Sequence, residues 1–357
     1  MKFKNIYVLC PANIVTGGPD ALHQMVYYLN HILGGGTYVV YFSANYPRPS
    51  DYLSIPASYK IYVNEFKEES DIIDDEFNAI VIPETFSNKC KKYKKSHIFL
   101  WWLSVYHAEN KRTLFFKYVY FITLPLRILK HLNYYKNNFV NALYSVYTSE
   151  KYSFKNEFAN IIHLCASYYA YDYVSRRSKK TVAKCIEPIS KLFLDIYSQE
   201  KKNISKQNRK DVILYNPVRK YNHILEKISN VAPELEFEPL QGLTQQQLIE
   251  KYMTSKLYID FGAFPGAERI PKEAVLFGCA VITGKRGASG FHGDVPIPEE
   301  YKFGNPEKQI KDIVEKIKFV LNNYEQVYSD FNEYRNTVLN LEENFIKSLN
   351  AIFLQQE

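Results

Sequence analysis

The segment Leu257 to Gly287, LYIDFGAFPGAERIPKEAVLFGCAVITGKRG, decides the fold that this sequence predicts. Its first residues, Leu257 to Phe261, form a short apolar run of the kind found in buried strands. Gly262 and Gly266 follow, and glycines permit a tight loop whose backbone amides can approach a ligand closely. The pattern therefore predicts a strand that runs into a ligand-accessible loop.

A helix is predicted directly after this loop. Pro271 suits a first helical turn, Gly278 ends the helix, and Ala280 to Thr283 resumes as a strand rich in β-branched residues. Charged residues crowd the start of the helix, namely Glu268, Arg269, Lys272 and Glu273. A helix N-terminus presents free amides and a positive dipole to phosphate, and carboxylates beside it accept hydrogen bonds from sugar hydroxyls. One segment thus offers contacts to both halves of a nucleotide sugar.

These residues resemble the donor site of GT-B glycosyltransferases, especially the family-4-like group of bacterial surface-polysaccharide enzymes. That group carries two glutamates in fixed register, an Ala-rich helix, a glycine and a short apolar strand, and the run EAVLFGCAVI from Glu273 matches the second half. Pro265 stands in the register of the first glutamate, and Glu268 is the nearest substitute. The variant FPGAERIPKEA also resembles a subgroup of capsule and O-antigen transferases. The resemblance implies that Glu273 contacts the nucleotide ribose.

The same residues also admit an ordinary structural interpretation. Glu273 is a favourable charge in a first helical turn, and Gly262 and Gly266 are common turn residues. The ordered succession of strand, loop, helix and strand favours the functional interpretation for the whole run more than for any single residue.

Length and composition indicate a globular protein of two domains. A chain of 357 residues exceeds what one hydrophobic core usually spans. The five cysteines show no CxxC or other metal-binding spacing, so we expect buried thiols in a reducing compartment. The first residues lack the pattern of a signal peptide, and no apolar stretch approaches the roughly 20 residues that span a bilayer, so we expect a location on the cytoplasmic side.

Alternating strands and helices predict an α/β protein with parallel sheets, and the resemblance implies the GT-B arrangement, in which two Rossmann-like domains face a central cleft. The polar stretch Ser198 to Asp211 has almost nothing to bury, so the predicted domains are residues 1–205 and 206–357. Strands of the first domain are predicted at Ile6–Cys10, Thr37–Ser43, Ile61–Asn64, Ala79–Pro83, Ile98–Leu103 and Ile161–Cys165. A helical tail, Pro306 to Phe353, closes the chain, and the resemblance implies that the last helix crosses back to the first domain.

The turn Gly17-Gly18-Pro19 lies at the carboxyl end of the first predicted strand, where ligands bind in open parallel sheets. It can place backbone amides and Asp20 in the cleft, as the corresponding turn does in the resembling family. It is also ordinary turn chemistry, and it is not GxGxxG, so a dinucleotide-binding interpretation is weak. His23, one turn further on, is predicted to be a polar residue of the helix surface.

A loop with Asn216, Arg219 and Lys220 follows the first strand of the second domain. The resembling enzymes place a basic pair here that neutralises the donor diphosphate, and Arg219 and Lys220 both counter the charge of a departing nucleotide. Exposed basic residues in a loop are also commonly just solvated. Gly242 lies in the next such loop, which in these folds lies against the nucleobase.

Trp101 and Trp102 end a predicted strand, and His107 follows them. The resembling family often supplies a histidine or an aspartate here, beside the donor sugar. A lone histidine at a strand end is more often structural. We expect both tryptophans in the core or in a wall of the cleft.

Residues 110–149 contain six basic residues and no Asp or Glu, and aromatic side chains interleave with them. This composition suits an anionic membrane surface, where rings lodge at the headgroup level and lysines pair with phosphates. A buried helical pair with a basic rim is the alternative. No RNA- or DNA-binding motif accompanies the segment, so we expect no nucleic acid partner.

The whole sequence predicts a glycosyltransferase that moves a sugar from a nucleotide-sugar donor to a lipid-linked or growing bacterial surface glycan at the inner membrane face. The expected donor contacts are Gly17, Gly18, Asn216, Arg219, Lys220, Gly242, Gly266, Ala267, Glu268, Arg269, Lys272 and Glu273. The catalytic candidates are Glu268, His107 and Asp20. We expect catalysis to rest on positioning and on stabilisation of the leaving diphosphate, with no cofactor and no obligatory metal.

Two other classes of protein remain open. A non-catalytic membrane-surface or glycan-binding protein that keeps the fold is favoured by the absence of a glutamate at position 265, and turnover of a nucleotide sugar would exclude it. A nicotinamide oxidoreductase is disfavoured because GxGxxG is absent after the first strand. Binding of a nucleoside diphosphate without binding of NAD(P) would exclude it.

Overall fold

The structure is a computed structural model that describes residues 3–42, 53–105, 152–155, 157–204, 208–217 and 222–354. Two parallel β-sheets organise these residues. The first has seven strands, β1 Asn5–Pro11, β2 Thr37–Phe42, β3 Lys67–Glu68, β4 Asn78–Pro83, β5 His97–Trp102, β6 Ile161–Cys165 and β7 Val182–Lys184. Their order is β3-β2-β1-β4-β5-β6-β7, and every pair is parallel. The predicted α/β class is confirmed.

The second sheet comes from the C-terminal half of the chain. Its strands are β8 Lys210–Tyr215, β9 Glu236–Pro239, β10 Ser255–Asp260, β11 Ala280–Gly284 and β12 Lys302–Phe303. Their order is β12-β11-β10-β8-β9, again with parallel pairs only. The central strands β10 and β11 are buried almost throughout, as expected for a parallel sheet covered on both faces.

Ten α-helices cover the two sheets within the described residues. They are α1 Gly17–Leu33, α2 Tyr168–Ser175, α3 Lys191–Ile204, α4 Asn222–Val231, α5 Gln245–Thr254, α6 Arg269–Leu276, α7 Ile310–Asn322, α8 Tyr324–Val327, α9 Asn332–Leu339 and α10 Leu341–Phe353. The predicted helical tail is therefore four successive helices. None of the described helices combines the length and apolar character that crossing a bilayer requires.

The strand predicted at Ile61–Asn64 is wrong. The chain there forms turns after a short 3-10 helix, Ala57–Tyr59, and the nearest strand is β3. Tyr62 and Val63 are nevertheless buried in the core. These apolar residues predict a strand from the sequence. In the structure they belong to a turn and pack into the core of the first domain.

The chain passes from the first core to the second between Cys185 and Ile189. Cys185 packs under the first sheet, whereas Ile189, Phe193 and Ile204 belong to the core of the second. The polar stretch Ser198 to Asp211 is helical as far as Ile204, so Lys201 and Lys202 lie on the exposed face of a helix. The chain therefore enters the second core before the polar stretch, and the predicted division between residues 205 and 206 stays a prediction.

The last helix, α10, packs against the first domain. Phe345, Leu349 and Phe353 lie in the core cluster under the first sheet. The Phe345 ring stacks on Trp101 with centroids 6.1 Å apart, and the Tyr28 hydroxyl donates a 2.6 Å hydrogen bond to a carboxylate at the start of α10. The C-terminal helix thereby fastens the two domains to each other.

His23 is fully buried, so the prediction of a surface position is wrong. Its Nδ1 lies 2.6 Å from the Pro19 carbonyl, and its Nε2 lies 2.6 Å from the Tyr41 hydroxyl. The ring stacks on Tyr59 at 4.2 Å. Burial lowers the pKa of His23. A neutral imidazole wedged between two tyrosines supports the start of α1 and does not face the cleft.

Candidate functional site

A cleft of about 430 Å³ lies between the two domains, and we call it the interdomain cleft. The first domain contributes the start of α1, Tyr59 and the end of β5, and the second contributes α5, the loop after β10 and the start of α6. Of the predicted site residues, the lining includes Gly17, Gly18, Asp20, Gly266, Ala267, Glu268, Arg269 and Glu273. The carboxyl ends of parallel strands from both sheets thus meet at one crevice, as expected for ligand sites in such sheets.

The start of α1 is held in the cleft by Tyr59. The Tyr59 hydroxyl donates to the Thr16 carbonyl and accepts from the Thr16 amide, both at 3.1 Å. The buried β1 delivers the chain to this point, and Gly17 opens the helix. Gly17 faces the Arg269 side chain, which a Cβ would meet at 3.4 Å. The glycine turn and the start of α6 therefore contact each other directly.

An ion pair joins Asp20 to Arg269 across the cleft. The Nη1 of Arg269 lies 2.5 Å from the Asp20 carboxylate, and the two side chains are only 16% and 10% exposed. The Gln24 amide donates a second hydrogen bond of 2.7 Å to the same carboxylate. Burial opposes the charge of Arg269, but the Asp20 and Glu187 carboxylates outweigh it and raise the pKa. Arg269 is a permanent cation in the wall of the cleft.

Arg269 carries hydrogen-bond donors that its ion pair with Asp20 does not use. Its Nε and Nη2 are buried and have no hydrogen-bond partner among the described residues. Buried donors of this kind are costly unless a partner fills them. The guanidinium therefore uses one edge for Asp20 and keeps two N–H-bearing atoms for an acceptor that enters the cleft.

Glu273 lies one turn into α6 and is 6% exposed. The Tyr252 hydroxyl donates a 3.3 Å hydrogen bond to its carboxylate. Burial raises the pKa of Glu273 to about 7, although Arg269 and the Tyr252 hydrogen bond act in the opposite direction. The group is therefore poised between its two protonation states near neutral pH. Glu268, at the N-cap of α6, also lines the cleft.

The loop after β10 is fixed by contact with the first domain. Gly266 forms an antiparallel bridge with Ser104, and the Val105 amide donates a 2.7 Å hydrogen bond to the Pro265 carbonyl. A Cβ at Gly266 would lie 2.1 Å from the Leu103 carbonyl oxygen, so only glycine fits. Leu103, Ser104 and Gly266 all line the cleft, so the two domains touch at its wall.

A buried carboxylate positions the other half of that contact. Glu84, at the end of β4, accepts hydrogen bonds from the amides of Leu103 and Ser104 at 3.2 and 3.1 Å. It also accepts one from the Ser104 hydroxyl at 2.8 Å. Burial raises the pKa of Glu84 to about 7, and these donors offset part of the effect. The carboxylate holds the strand end that pairs with Gly266.

Some predicted site residues lie elsewhere. Asn216, Gly242 and Lys272 do not line the interdomain cleft, and Lys272 lines a second cavity instead. Arg219, Lys220 and His107 fall outside the described residues, as does the segment 110–149. The roles predicted for them stay predictions.

The structure also shows a residue that sequence reasoning missed. Glu187 lies in the crossing between the domains, lines the cleft and is 6% exposed. Its Oε2 is buried without a hydrogen-bond partner among the described residues. Burial raises its pKa, and Lys272 and Arg269 are the cations that oppose this. Glu187 is a single acidic residue beside Pro188, and it belongs to no sequence motif. Its role in the cleft is evident only from its position between the two domains.

The described residues hold no group of three or more His, Cys, Asp or Glu arranged to bind a metal ion. All five cysteines are free and buried. The chemistry that the described cleft offers comes from one arginine, several carboxylates and backbone amides. That set suits an anionic group with hydroxyls attached to it.

No family model matches this sequence, and no curated protein matches it. The two parallel-sheet domains around the cleft define the GT-B fold class. The chain is similar to a glycosyltransferase from Rickettsia africae, at 12% identity and a TM-score of 0.55, over 99% of this chain and 100% of that one. It is also similar to sucrose-phosphate synthase from Thermosynechococcus elongatus, at 12% identity and a TM-score of 0.56, over 99% and 98% of the two chains.

A third similar structure is WaaG, described as a glycosyltransferase involved in lipopolysaccharide biosynthesis. The identity is 10% and the TM-score 0.51, over 98% of this chain and 100% of that one. At such identities the likeness shows the fold. The predicted GT-B arrangement is confirmed.

Proposed function

We propose that the chain is a glycosyltransferase whose donor is a nucleoside-diphosphate sugar bound in the interdomain cleft. The observation that carries this proposal is the guanidinium of Arg269. It is buried in the cleft, paired to Asp20 on one side and unpartnered among the described residues at Nε and Nη2. The fold is that of solved glycosyltransferases, which supports the assignment.

The diphosphate is the group that best fits Arg269. A guanidinium presents parallel N–H donors that match phosphate oxygens, and such charge-assisted bonds are about twice as strong as neutral ones. The amides around Gly266 and Ala267 lie just before the N-terminus of α6, where the helix dipole favours negative charge. We assign Arg219 and Lys220 to the same diphosphate, on the resemblance alone.

The carboxylates fit the rest of the donor. Glu273, with a pKa raised to about 7 by burial, accepts hydrogen bonds from the ribose hydroxyls once it is ionised. Glu268 and Glu187 line the same cleft, and carboxylates there can accept hydrogen bonds from the sugar hydroxyls. Asp20 is occupied by Arg269 and Gln24, so its role here is to orient the guanidinium.

Catalysis in this proposal comes from electrostatics. Cleavage of the bond between the sugar and the diphosphate leaves charge on the departing phosphate oxygen, and a preorganised guanidinium stabilises that charge without reorganisation. The two domains hold the donor and acceptor at a fixed distance. No step requires a metal, so activity should survive EDTA.

The acceptor we propose is a lipid-linked or growing bacterial surface glycan, of the capsule, O-antigen or lipopolysaccharide type. The resemblance of the α6 region and the likeness to WaaG support this class. We also propose that residues 110–149 rest on the inner face of the membrane, because basic and aromatic residues alternate there without any acid.

Nucleotide binding tests the proposal. UDP, GDP, dTDP, ADP and CMP are screened by thermal shift, and at least one should raise the melting temperature, because binding to the folded state stabilises it. Arg269→Lys keeps the charge but loses the planar fork, and Glu273→Gln keeps the shape but loses the carboxylate. Each should weaken the chosen nucleotide at least about tenfold, while Arg176→Lys, on an exposed side chain, should not.

Wild-type affinity in both variants would overturn the placement of the donor. The alternative of a non-catalytic binding protein draws on Pro265, which stands in the register of the first glutamate and whose carbonyl accepts a hydrogen bond from the Val105 amide. Release of free nucleotide from a nucleotide sugar by the wild-type protein would exclude it.

A further inference from the structure

A second cavity of about 380 Å³ lies between the domains and shares no lining residue with the interdomain cleft. Its walls are the start of α2 and the end of β7 from the first domain, and α6, α9 and α10 from the second half of the chain. The charged side chains in its lining are Lys184, Lys272, Lys347 and Asp294. Lys347 is ion-paired with Glu343 on the same helix, so Lys184 and Lys272 are the cations that face the one carboxylate.

Lys272 is the central feature of this cavity. It is 5% exposed, and none of the described residues makes a hydrogen bond or an ion pair with its ammonium. Burial lowers its pKa, whereas Glu187 and Asp294 act from a distance to raise it. A buried ammonium without a direct partner is unfavourable, so an anion beside it would be strongly stabilised.

Asp294 does not supply that anion. Its two carboxylate oxygens accept hydrogen bonds from the amides of Tyr168 and Tyr169, at 2.8 and 2.9 Å. The carboxylate thus caps the N-terminus of α2 across the domain boundary. Both of its oxygens accept hydrogen bonds from those amides and not from the Lys272 ammonium. Burial raises the pKa of Asp294, although the two amide hydrogen bonds act in the opposite direction. The positive character of the cavity remains.

Several other lining groups can form hydrogen bonds, beside the apolar side chains of Ile186, Val338 and Leu341. The Tyr334 hydroxyl is buried and has no partner among the described residues, although the residue is only 1% exposed. Lys184 lies with its ammonium 4.1 Å from the centre of the Tyr168 ring, which leaves its N–H donors available. Thr337, Asn344 and Ser348 complete a polar wall. These groups are complementary to an oxygen-rich ligand that carries negative charge.

We propose that this second cavity binds a phosphorylated sugar, with the phosphate beside Lys272, Lys184 and the Tyr334 hydroxyl and the hydroxyls against the polar wall of α9 and α10. The volume lies within the range of small-molecule sites. The site requires both domains, because Lys184 and Tyr334 belong to opposite walls. It does not depend on what binds in the interdomain cleft.

Isothermal titration calorimetry tests this site. Glucose 6-phosphate, inorganic phosphate and glucose are each titrated into the full chain. We expect glucose 6-phosphate to bind, phosphate to bind more weakly, and glucose not to bind. Lys184→Met and Tyr334→Phe should each weaken glucose 6-phosphate about tenfold, the loss of one hydrogen bond to a charged group. Lys318→Met, which removes the same charge from a surface ion pair on α7, should leave the affinity unchanged.

Three results would overturn the proposal. The first is absence of heat with both phosphate-bearing probes. The second is wild-type affinity in Lys184→Met and Tyr334→Phe when circular dichroism shows both folded. The third is competition between glucose 6-phosphate and the nucleotide selected by thermal shift, which would place the phosphate in the interdomain cleft. Nucleotide binding is measured separately, so either site can fail alone.

Discussion

Asp20→Asn should weaken the protein because it breaks the ion pair that links the two domains. At the 2.5 Å separation and an effective dielectric constant of about 20, the attraction between the charges is about 7 kcal/mol. Desolvation offsets much of this, since the side chains are 10% and 16% exposed, and removal of one partner from a buried pair costs about 3–5 kcal/mol. Glu187 and Glu273 still face Arg269 in the variant. We therefore expect a loss of about 3 kcal/mol.

A double-mutant cycle measures this link. Asp20→Asn, Arg269→Met and the double variant are unfolded in guanidinium chloride, and their free energies of unfolding are compared with that of the wild type. We expect a coupling energy of about 2 kcal/mol or more. The exposed pair Arg176 and Asp172 is the control, with a coupling below about 0.5 kcal/mol. Additive effects of Asp20→Asn and Arg269→Met, within about 0.5 kcal/mol, would refute the interpretation.

Three further predictions concern stability. Gly266→Ala should cost about 2 kcal/mol or more, because its Cβ would lie 2.1 Å from the Leu103 carbonyl oxygen, and an unchanged melting temperature would contradict this. Arg209→Met should lower the melting temperature far more than Arg176→Met, because the buried Arg209 guanidinium donates to four backbone carbonyls at 2.6–3.2 Å; equal losses would count against it. Burial raises the pKa of Glu273 from 4.5 to about 7, so the group is best accommodated when protonated and stability falls by about 3 kcal/mol as the pH rises through that interval. Glu273→Gln should lose this pH-dependent part of the stability. The free energies of unfolding of the wild type and the variant are compared at pH 5 and pH 8. The same pH dependence in both proteins would show that burial does not perturb the pKa of this carboxyl.

The C-terminal half of the fold could be predicted from sequence because local and global signals agree there. The apolar run before Asp260, the helix that begins near Glu268 and the strand after Gly278 appear in the structure within a residue or two of the predicted bounds. Each is an element buried on both sides or capped by a glycine. Gly278, with a φ of 99°, ends α6 as predicted.

The errors come from residues whose environment is tertiary. His23 is a polar residue of a helix, which by itself predicts a surface position, but Tyr41 and Tyr59 supply contacts that allow it to be buried. Tyr62 and Val63 are apolar and buried, but they lie in a turn and not in a strand.

The site itself was only partly predictable for the same reason. The glycine turn and the α6 segment carry recognisable patterns, and the cleft brings both together. The pairing of Asp20 with Arg269 joins positions 249 residues apart, which no local pattern reports. Glu187 and the separation of Lys272 from Glu273 into different cavities depend on how the domains face each other.

A crystal structure of the protein with the nucleotide selected by thermal shift tests the central claim most directly. We predict the diphosphate within hydrogen-bond distance of Nε and Nη2 of Arg269 and the ribose hydroxyls against Glu273. A nucleotide bound away from the interdomain cleft, or Arg269 and Glu273 turned away from it, would contradict the account.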